Sequence, residues 1–256
     1  MRSAVVKTAA VVPKLREWKA DLHLHTCLSP CAELEMVPTA IVRQAKVQGL
    51  DLVAICDHNT LANARAVAAA GARESLAVVP GIEVTTREEV HVLGLFEPEM
   101  DLEGFQALVE QNLSGENDDE AFGLQVVVDE WDEPVAIETS LLIGATSLTL
   151  EETVDAIHEF GGLAVAAHID REGFGLIGQL GFVPPGLDLD ALEVSFRASH
   201  EEWHTERQDF PVITSSDAHR LDDIGRSSTS FLGSQASFEE IGLALKQEQG
   251  RKVVIG

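Results

Sequence analysis

Short apolar segments rich in β-branched residues alternate with helix-like segments through most of this chain. That alternation is typical of repeated βα units, which build a mainly parallel sheet covered by helices. A chain of 256 residues is long enough for one large core, and α/β barrels of this size commonly form one domain. The pattern therefore predicts an α/β fold in a single domain spanning residues 1–256.

The predicted elements follow one another with little interruption. Strands are predicted at residues 20–24, 52–56, 76–79, 90–96, 163–167, 191–196, 211–214 and 252–255. Helices are predicted at residues 37–48, 61–73, 102–111, 150–160 and 237–247. The segment at about 113–146 breaks the alternation, because two short apolar runs flank an acidic turn there. We predict that it is an insertion that forms a small β-hairpin.

Charge and residue type limit the partners expected for the chain. The net charge is −25, and nucleic-acid binders neutralise phosphates with Lys and Arg, so no duplex nucleic acid is expected as a partner. The apolar run at 4–12 is interrupted by Lys7 and too short to span a membrane, so no membrane partner and a cytoplasmic location are expected. Three cysteines indicate reduced thiols or metal ligation rather than disulfides.

Residue types that bind metals stand where the predicted strands end. His23 and His25 close the first strand, and side chains two apart on a strand point to the same face. The remaining candidates are His58, Glu83, His91, His168, Asp217 and His219. Because the carboxyl ends of parallel strands meet at one rim, these side chains predict a centre with more ligands than one ion needs. Histidine and carboxylate ligands suit Zn, Mn or Fe.

In their order along the chain, these motifs resemble those of the PHP (polymerase and histidinol phosphatase) family. Asp-Leu-His-Leu-His-Thr is similar to the first motif, and Asp57-His58-Asn59 to the second. Gly81-Ile82-Glu83 with His91, then Ala167-His168, and finally Asp217-Ala218-His219 complete the series. The resemblance covers nearly the whole chain and is to stand-alone bacterial metal-dependent phosphoesterases. It implies a distorted (β/α)7 barrel that binds two or three divalent metal ions, Zn, Fe or Mn.

The resemblance also implies which residues bind each metal. His23, His25, Glu83 and Asp217 would bind one ion, and a bridging Glu83 would share a second with His91 and His168. A third would use His58 and His219. Pro30 stands where the family often has a ligand, so this third site would depend on Cys31, six residues after His25, where trinuclear members can carry a histidine. The alternative for Cys31 is a small buried hydrophobic side chain.

Such a centre predicts hydrolysis of a phosphate ester. Two cations a few ångströms apart can hold a hydroxide between them and neutralise a phosphoryl group. We expect in-line attack of that hydroxide on a small phosphomonoester, and Asp217 is expected to be essential for turnover. His219 or His58 would bind the third metal or protonate the leaving oxygen. Arg171 and Arg197 are candidates to bind the phosphate, with surface ion pairing as the alternative.

Other functions stay open on the sequence alone. The same metal cluster suits a 3′ to 5′ exonuclease, a nucleotide phosphodiesterase or a nucleotidase. An amidohydrolase-like barrel that cleaves a C–N bond is disfavoured, because no lysine stands near a strand end to form a carbamylated bridge. A non-catalytic metal-binding scaffold would more naturally lack some of these ligands.

Overall fold

The structure is a computed structural model that describes residues 14–198 and 210–254. The first strands are β1 (Arg16–Leu24), β2 (Leu52–His58), β3 (Ala77–Thr85), β4 (His91–Leu95), β5 (Val126–Val128) and β6 (Pro134–Ile137). The later strands are β7 (Leu163–Ala166), β8 (Ala191–Val194), β9 (Val212–Thr214), β10 (Thr229–Gly233) and β11 (Lys252–Val254). The helices are α1 (Pro38–Val47), α2 (Ala64–Glu74), α3 (Glu103–Asn112), α4 (Leu150–Glu159), α5 (Leu176–Leu180) and α6 (Phe238–Leu245).

Nine strands form one sheet in the order β11-β10-β1-β2-β3-β4-β7-β8-β9. β1, β2 and β3 run parallel, as do β7, β8 and β9, but β4 is antiparallel to both β3 and β7. The link from β3 to β4 is too short for a parallel crossover, which needs a dozen or more residues. As a result, the start of β4 reaches the same rim of the sheet as the end of β3.

The sheet closes almost completely on itself. Ala218, which follows β9, forms a parallel bridge with Leu24 at the end of β1, and its carbonyl accepts a hydrogen bond from His25 N at 3.0 Å. Farther down, the Thr229 hydroxyl of β10 donates to the carbonyl of Thr214 in β9 at 2.8 Å. The prediction of an α/β fold with a distorted barrel is therefore confirmed.

Apolar side chains fill the barrel and the layer beneath its helices. Trp18 and Phe231 stack with ring centroids 4.7 Å apart among the buried residues of the strands. All seven residues of β2 are buried, because one face of that strand meets the barrel interior and the other meets α1 and α2. Among the helices of the described ranges, none is long and apolar enough to cross a membrane.

The predicted β-hairpin is present as β5 and β6, which pair as a separate two-stranded sheet. It lies against the rim and against the helices that follow β1 and β2. The amide of Val126 donates to the carbonyl of Cys27 at 3.2 Å, and Asn63 at the start of α2 bonds to the backbone of Val126 and Val128. At the hairpin turn, Asp132 accepts from the amide of Thr39 at 2.9 Å, in the first turn of α1.

Two elements were not predicted from the sequence. β10 lies in a run of Ser, Thr and Gly that resembles a loop, and its strand conformation depends on pairing with β1 and β11. α5 has only five residues, which is too short to show a helical period.

Candidate metal centre

The eight predicted ligands other than Cys31 meet at the rim of the barrel. Seven of them have buried side chains, and His219 is half-buried. They are His23, His25, His58, Glu83, His91, His168, Asp217 and His219. The fold brings them together because each lies in or beside a strand that ends at this rim.

Glu83 stands in the middle of the group. Its Oε1 lies 2.6 Å from Nδ1 of His91, 3.1 Å from Nε2 of His168 and 3.4 Å from Nε2 of His23. Its Oε2 lies 3.0 Å from Nδ1 of His58 and 3.3 Å from Nε2 of His25. A carboxylate with five imidazoles around its two oxygens is placed to bridge more than one cation.

The ring nitrogens of His23 and His25 that face each other are both acceptors. Ser29 has one hydroxyl hydrogen and donates it to Asp57 at 2.7 Å, so His25 must donate from Nδ1 to Ser29 Oγ at 2.9 Å. His23 in turn donates from Nδ1 to Glu193 at 3.0 Å. Each Nε2 therefore carries a lone pair. These tautomers follow from the hydrogen-bond network.

The lone pairs converge with two carboxylates on one point. Nε2 of His23 and Nε2 of His25 are 3.2 Å apart. Oδ1 of Asp217 lies 3.4 Å from Nε2 of His23 and 3.2 Å from Nε2 of His25. Acceptors packed this closely repel one another unless a positive charge lies among them. Histidine and carboxylate donors at these positions fit a divalent transition metal.

Three overlapping groups of ligand atoms extend the centre beyond one ion. Within each group, the atoms lie within 4.8 Å of one another. The groups are His23, His25 and Glu83; His58, Glu83 and His91; and His25, His58 and His219. In addition, Nδ1 of His168 is buried without a hydrogen-bond partner, and Nδ1 of His58 and Oε2 of Glu83, although 3.0 Å apart, are not aligned for a hydrogen bond; bound cations would supply partners to all three atoms.

The charges within the group shift its pKa values strongly. Burial lowers the pKa of His25, but Asp217 and Glu83 outweigh that effect and raise it to about 9, so near neutral pH a proton binds the lone pair of its Nε2 wherever a metal ion does not. Burial would raise the pKa of Glu83, yet the surrounding histidines, His91 first, hold it well below its usual range. Burial and the neighbouring His25 lower the pKa of His219 to about 3. The carboxylates are thus ionised, and the cage attracts positive charge.

Three residues of the rim have left-handed backbone conformations that side chains other than glycine rarely adopt. Their φ angles are 52° at Asn59, 27° at His168 and 49° at Asp217. The side-chain amide of Asn59 donates to the carbonyls of Leu142 and Gly144 at 2.8 Å, which ties the rim to the segment that follows the hairpin. Such strain is characteristic of functional sites whose surroundings hold the backbone in place.

Several residues that position the ligands were missed in the sequence. Glu193 in β8 is buried and holds His23, and a lone Glu in a short strand gives no sequence signal of that role. Phe174 stacks on His91 with centroids 4.5 Å apart. Arg226 donates to the carbonyl of Ser216 from Nε at 3.0 Å and from Nη2 at 2.8 Å, which fixes the loop that carries Asp217.

A cavity of about 770 Å³ opens beside the ligands. It is lined by Arg171, Arg197 and Arg226 together with Asp217, His219 and the carboxylates of Asp170, Glu172 and Asp223. Arg171 Nη2 lies 2.6 Å from Asp217 Oδ2. Arg197 is exposed at the edge. Both arginines predicted to bind phosphate thus line the mouth of the centre, where their role in substrate binding stays a prediction.

Cys31 is exposed, and it belongs to none of the three ligand groups found in the described residues. It is not the buried hydrophobic side chain of the alternative interpretation either. The histidines expected for the third site, His58 and His219, are instead grouped with His25. Burial of the thiol, and then the charges of Glu83 and Asp217, raise the pKa of Cys31 to about 12, so the sulfur lies near the cluster, and its assignment as a ligand stays a prediction.

This architecture is similar to that of several known proteins. Residues 204–249 match the family described as PHP-associated. The lesion-specific endonuclease Q of Pyrococcus furiosus superimposes with a TM-score of 0.69 at 20% identity over 93% of this chain and 58% of that one. A two-domain protein of Bacteroides vulgatus containing a predicted PHP-like metal-dependent phosphoesterase does so with a TM-score of 0.58 at 15% identity, over 99% and 70%.

One curated relative is a 5′-3′ exoribonuclease of Haemophilus influenzae, 32% identical over 80 residues. The match covers 30% of this chain and 28% of the exoribonuclease. This chain thus spans less than two thirds of that relative and of endonuclease Q.

The fold is similar to that of PHP-like metal-dependent phosphoesterases, and the site has a histidine–carboxylate cluster that could hold metal ions. The resemblance to the PHP family predicted from the sequence motifs is confirmed. Identities of 15 and 20% to the solved structures establish the fold, and the substrate has to be argued from the site.

The expectation that duplex nucleic acid is not a partner is wrong. Endonuclease Q, which shares the fold, forms a complex with a 27-mer duplex that has an abasic lesion at the active site. The net charge of −25 sums over the whole chain, whereas recognition depends on the local field, and guanidinium groups line the mouth here. A strongly acidic total therefore does not exclude such a partner.

Proposed function

We propose that this protein hydrolyses phosphate esters at the metal centre, with a small phosphomonoester as the first candidate substrate. One observation carries the proposal: the cage of converging acceptors around Glu83 and Asp217 opens directly into a cavity lined by three arginines. The three guanidinium groups share the lining with the carboxylates of Asp170, Glu172, Asp217 and Asp223, so bound metal ions together with these arginines would supply the positive charge that an anionic substrate needs.

Divalent metals bound in the cage would act as Lewis acids and lower the pKa of water. His23, His25, Glu83 and Asp217 would hold one ion, and Glu83 would share a second with His91 and His168. Arg171 and Arg197 bind and orient the phosphate, because a guanidinium forms two parallel hydrogen bonds to its oxygens. The position of His219 next to His25 and His58 favours its role as a ligand of a third ion over that of a proton donor.

The test is hydrolysis by the full chain after reconstitution with Zn, Mn or Fe, measured on a panel of phosphomonoesters, nucleotides and short oligonucleotides. Release of phosphate from a monoester that is lost in Asp217→Asn, and kept in the exposed control Asp101→Asn, supports the proposal. Protein that carries at least two metal equivalents yet hydrolyses no member of the panel would refute it, and would favour the metal-binding scaffold.

Phosphodiester hydrolysis in nucleic acid is the second candidate. It is favoured by the names of two proteins similar to this chain, an exoribonuclease and a lesion-specific endonuclease. A 5′-phosphorylated oligonucleotide distinguishes the two candidates, because a phosphomonoesterase releases inorganic phosphate and a nuclease releases nucleotides or shorter strands. Labelling the 5′ end in one sample and the 3′ end in another shows which end is attacked.

A further inference from the structure

The cavity beside the metal centre is larger than a phosphate group requires. Its volume of about 770 Å³ lies in the range of about 300–1,000 Å³ that is typical of sites for whole small molecules. Among the described residues that line it, Phe196 is the one phenylalanine, and its side chain is 36% exposed. Single exposed apolar side chains are common on protein surfaces, so this ring is informative only if the structure holds it in a defined place.

The main chain at Phe196 is fixed by the loop that carries His168. Ser195, directly after β8, donates to the two carboxylate oxygens of Asp170, from its amide at 2.7 Å and from its hydroxyl at 2.6 Å. A turn follows, in which the amide of Ala198 donates to the carbonyl of Ser195 at 3.0 Å. Asp170 therefore uses both of its oxygens to hold the turn that places Phe196 in the cavity wall.

The ring of Phe196 is fixed by Arg226. The guanidinium carbon of Arg226 lies over the ring, 3.7 Å from its centroid. The same guanidinium donates to the carbonyl of Ser216 from Nε at 3.0 Å and from Nη2 at 2.8 Å, and its Nη1 lies 3.1 Å from Oδ1 of Asp223. Because these acceptors hold the guanidinium in place, Arg226 supports the ring, and the exposed part of the ring is what a ligand in the cavity meets.

Charge alone does not select a ligand for this cavity. Its wall has four carboxylates and three guanidinium groups, and two of the arginines are paired, Arg171 with Asp217 at 2.6 Å and Arg226 with Asp223 at 3.1 Å. An ester would therefore be held by its phosphate at the metals and by the contacts of its alcohol part. Since the cavity begins at the ligands, that alcohol part extends towards Phe196, and stacking on a ring does not depend on net charge.

A fixed phenyl ring is suited to stack on a planar group of the substrate. Stacking of a base on an aromatic side chain raises affinity roughly 5- to 150-fold, whereas an aliphatic alcohol has no planar face to offer. We propose that Phe196 is a specificity-determining residue, and that the ester hydrolysed here has a planar ring in its alcohol part, as a nucleoside 5′-monophosphate has. This inference deepens the first candidate function by naming its substrate class, and rests on it.

The experiment compares adenosine 5′-monophosphate with ribose 5-phosphate, because the same kind of ester bond is cleaved in both and only the first has a planar base. The full-length protein, reconstituted with metal, is expected to have a higher kcat/KM for the nucleotide. Phe196→Leu should lower the ratio of the two kcat/KM values roughly 5- to 150-fold, mainly through the KM of the nucleotide. Phe196→Tyr keeps an aromatic ring and should retain the ratio. Phe182→Leu, which changes an exposed phenylalanine outside this cavity, is the matched control and should also retain it.

Calorimetry with non-hydrolysable phosphonate analogues of the two esters measures binding without turnover, and equal melting temperatures and metal equivalents will show that the variants are intact. Three results would overturn the inference: equal kcat/KM of the wild type for the two esters, an unchanged ratio in Phe196→Leu, or the same loss in Phe182→Leu. If neither ester is hydrolysed but the nucleotide analogue binds more tightly only while Phe196 is present, the proposed function is refuted and the binding preference stands. Hydrolysis of both esters without dependence on Phe196 would refute this inference alone.

Discussion

Glu193 is expected to control metal affinity although it is not itself a proposed ligand. Its Oε1 accepts from His23 Nδ1 at 3.0 Å and from the amide of His168 at 3.2 Å, inside a buried site. Glu193→Gln keeps an acceptor and removes the charge. A hydrogen bond to a charged group contributes about 1.5–3 kcal/mol and a neutral one about 0.5–1.5, so the loss is about 1–1.5 kcal/mol. That loss corresponds to roughly tenfold weaker metal binding.

Glu193→Ala removes the acceptor as well and leaves His23 free to turn, so it should reach the upper end of the range for such partners, about a hundredfold. The assay is competition between the metal-free protein and a chelating dye, followed for Zn and Mn, with metal equivalents counted by elemental analysis. Glu159→Gln, an exposed carboxylate on α4, is the control. Unchanged dissociation constants in both Glu193 variants would show that this carboxylate does not tune His23.

Four further outcomes are expected. The purified protein should contain at least two metal equivalents by elemental analysis. Asp217→Asn or His23→Ala should lower the rate of ester hydrolysis more than about a hundredfold, while the circular dichroism spectrum stays near that of the wild type. Arg197→Ala should raise KM with little loss of metal, because Arg197 lines only the mouth. Arg171→Ala should also raise KM, and it removes an ion-pair partner of Asp217 as well. Unchanged kinetics in both variants would assign these arginines to surface ion pairing. If Cys31 binds the third ion as predicted, Cys31→Ala should remove one metal equivalent and leave the other two, and an unchanged count would show that it is not a ligand. Hydrogen bonds from Arg251 lower the pKa of Glu240 to about 2 from 4.5, so this pair stabilises the fold above pH 4.5 and the effect is lost as the pH falls towards 2. The melting temperature of the wild type should therefore fall more steeply over that range than that of Glu240→Gln, and parallel curves would contradict this.

The alternation of strands and helices and the ligand types at strand ends could be predicted, because both depend on local patterns. The residues that orient the ligands could not. Glu193 looks like an ordinary solvent-facing residue of a short strand until the closed barrel buries it. Ser29 sets the tautomer of His25 only through Asp57, which comes from another strand.

The net charge of the chain also fails to predict which charged residues become neighbours in the fold. A total of −25 describes the surface on average, and the arginines of the mouth are separated in sequence and meet only in the fold. An inference about nucleic acid that rests on the total is therefore weaker than one that rests on which cations are neighbours.

The left-handed backbone at Asn59, His168 and Asp217 has a consequence for attempts to make this protein more robust. Glycine adopts such angles without steric cost, so a selection for heat resistance alone should favour glycine at His168 and Asp217, whereas the hydrogen bonds of the Asn59 side chain to Leu142 and Gly144 keep Asn59 in place. Each such replacement would remove a side chain from the rim. Directed evolution for thermostability, unless coupled to a screen for metal content, is therefore expected to drift towards well-folded proteins that no longer hold their metals.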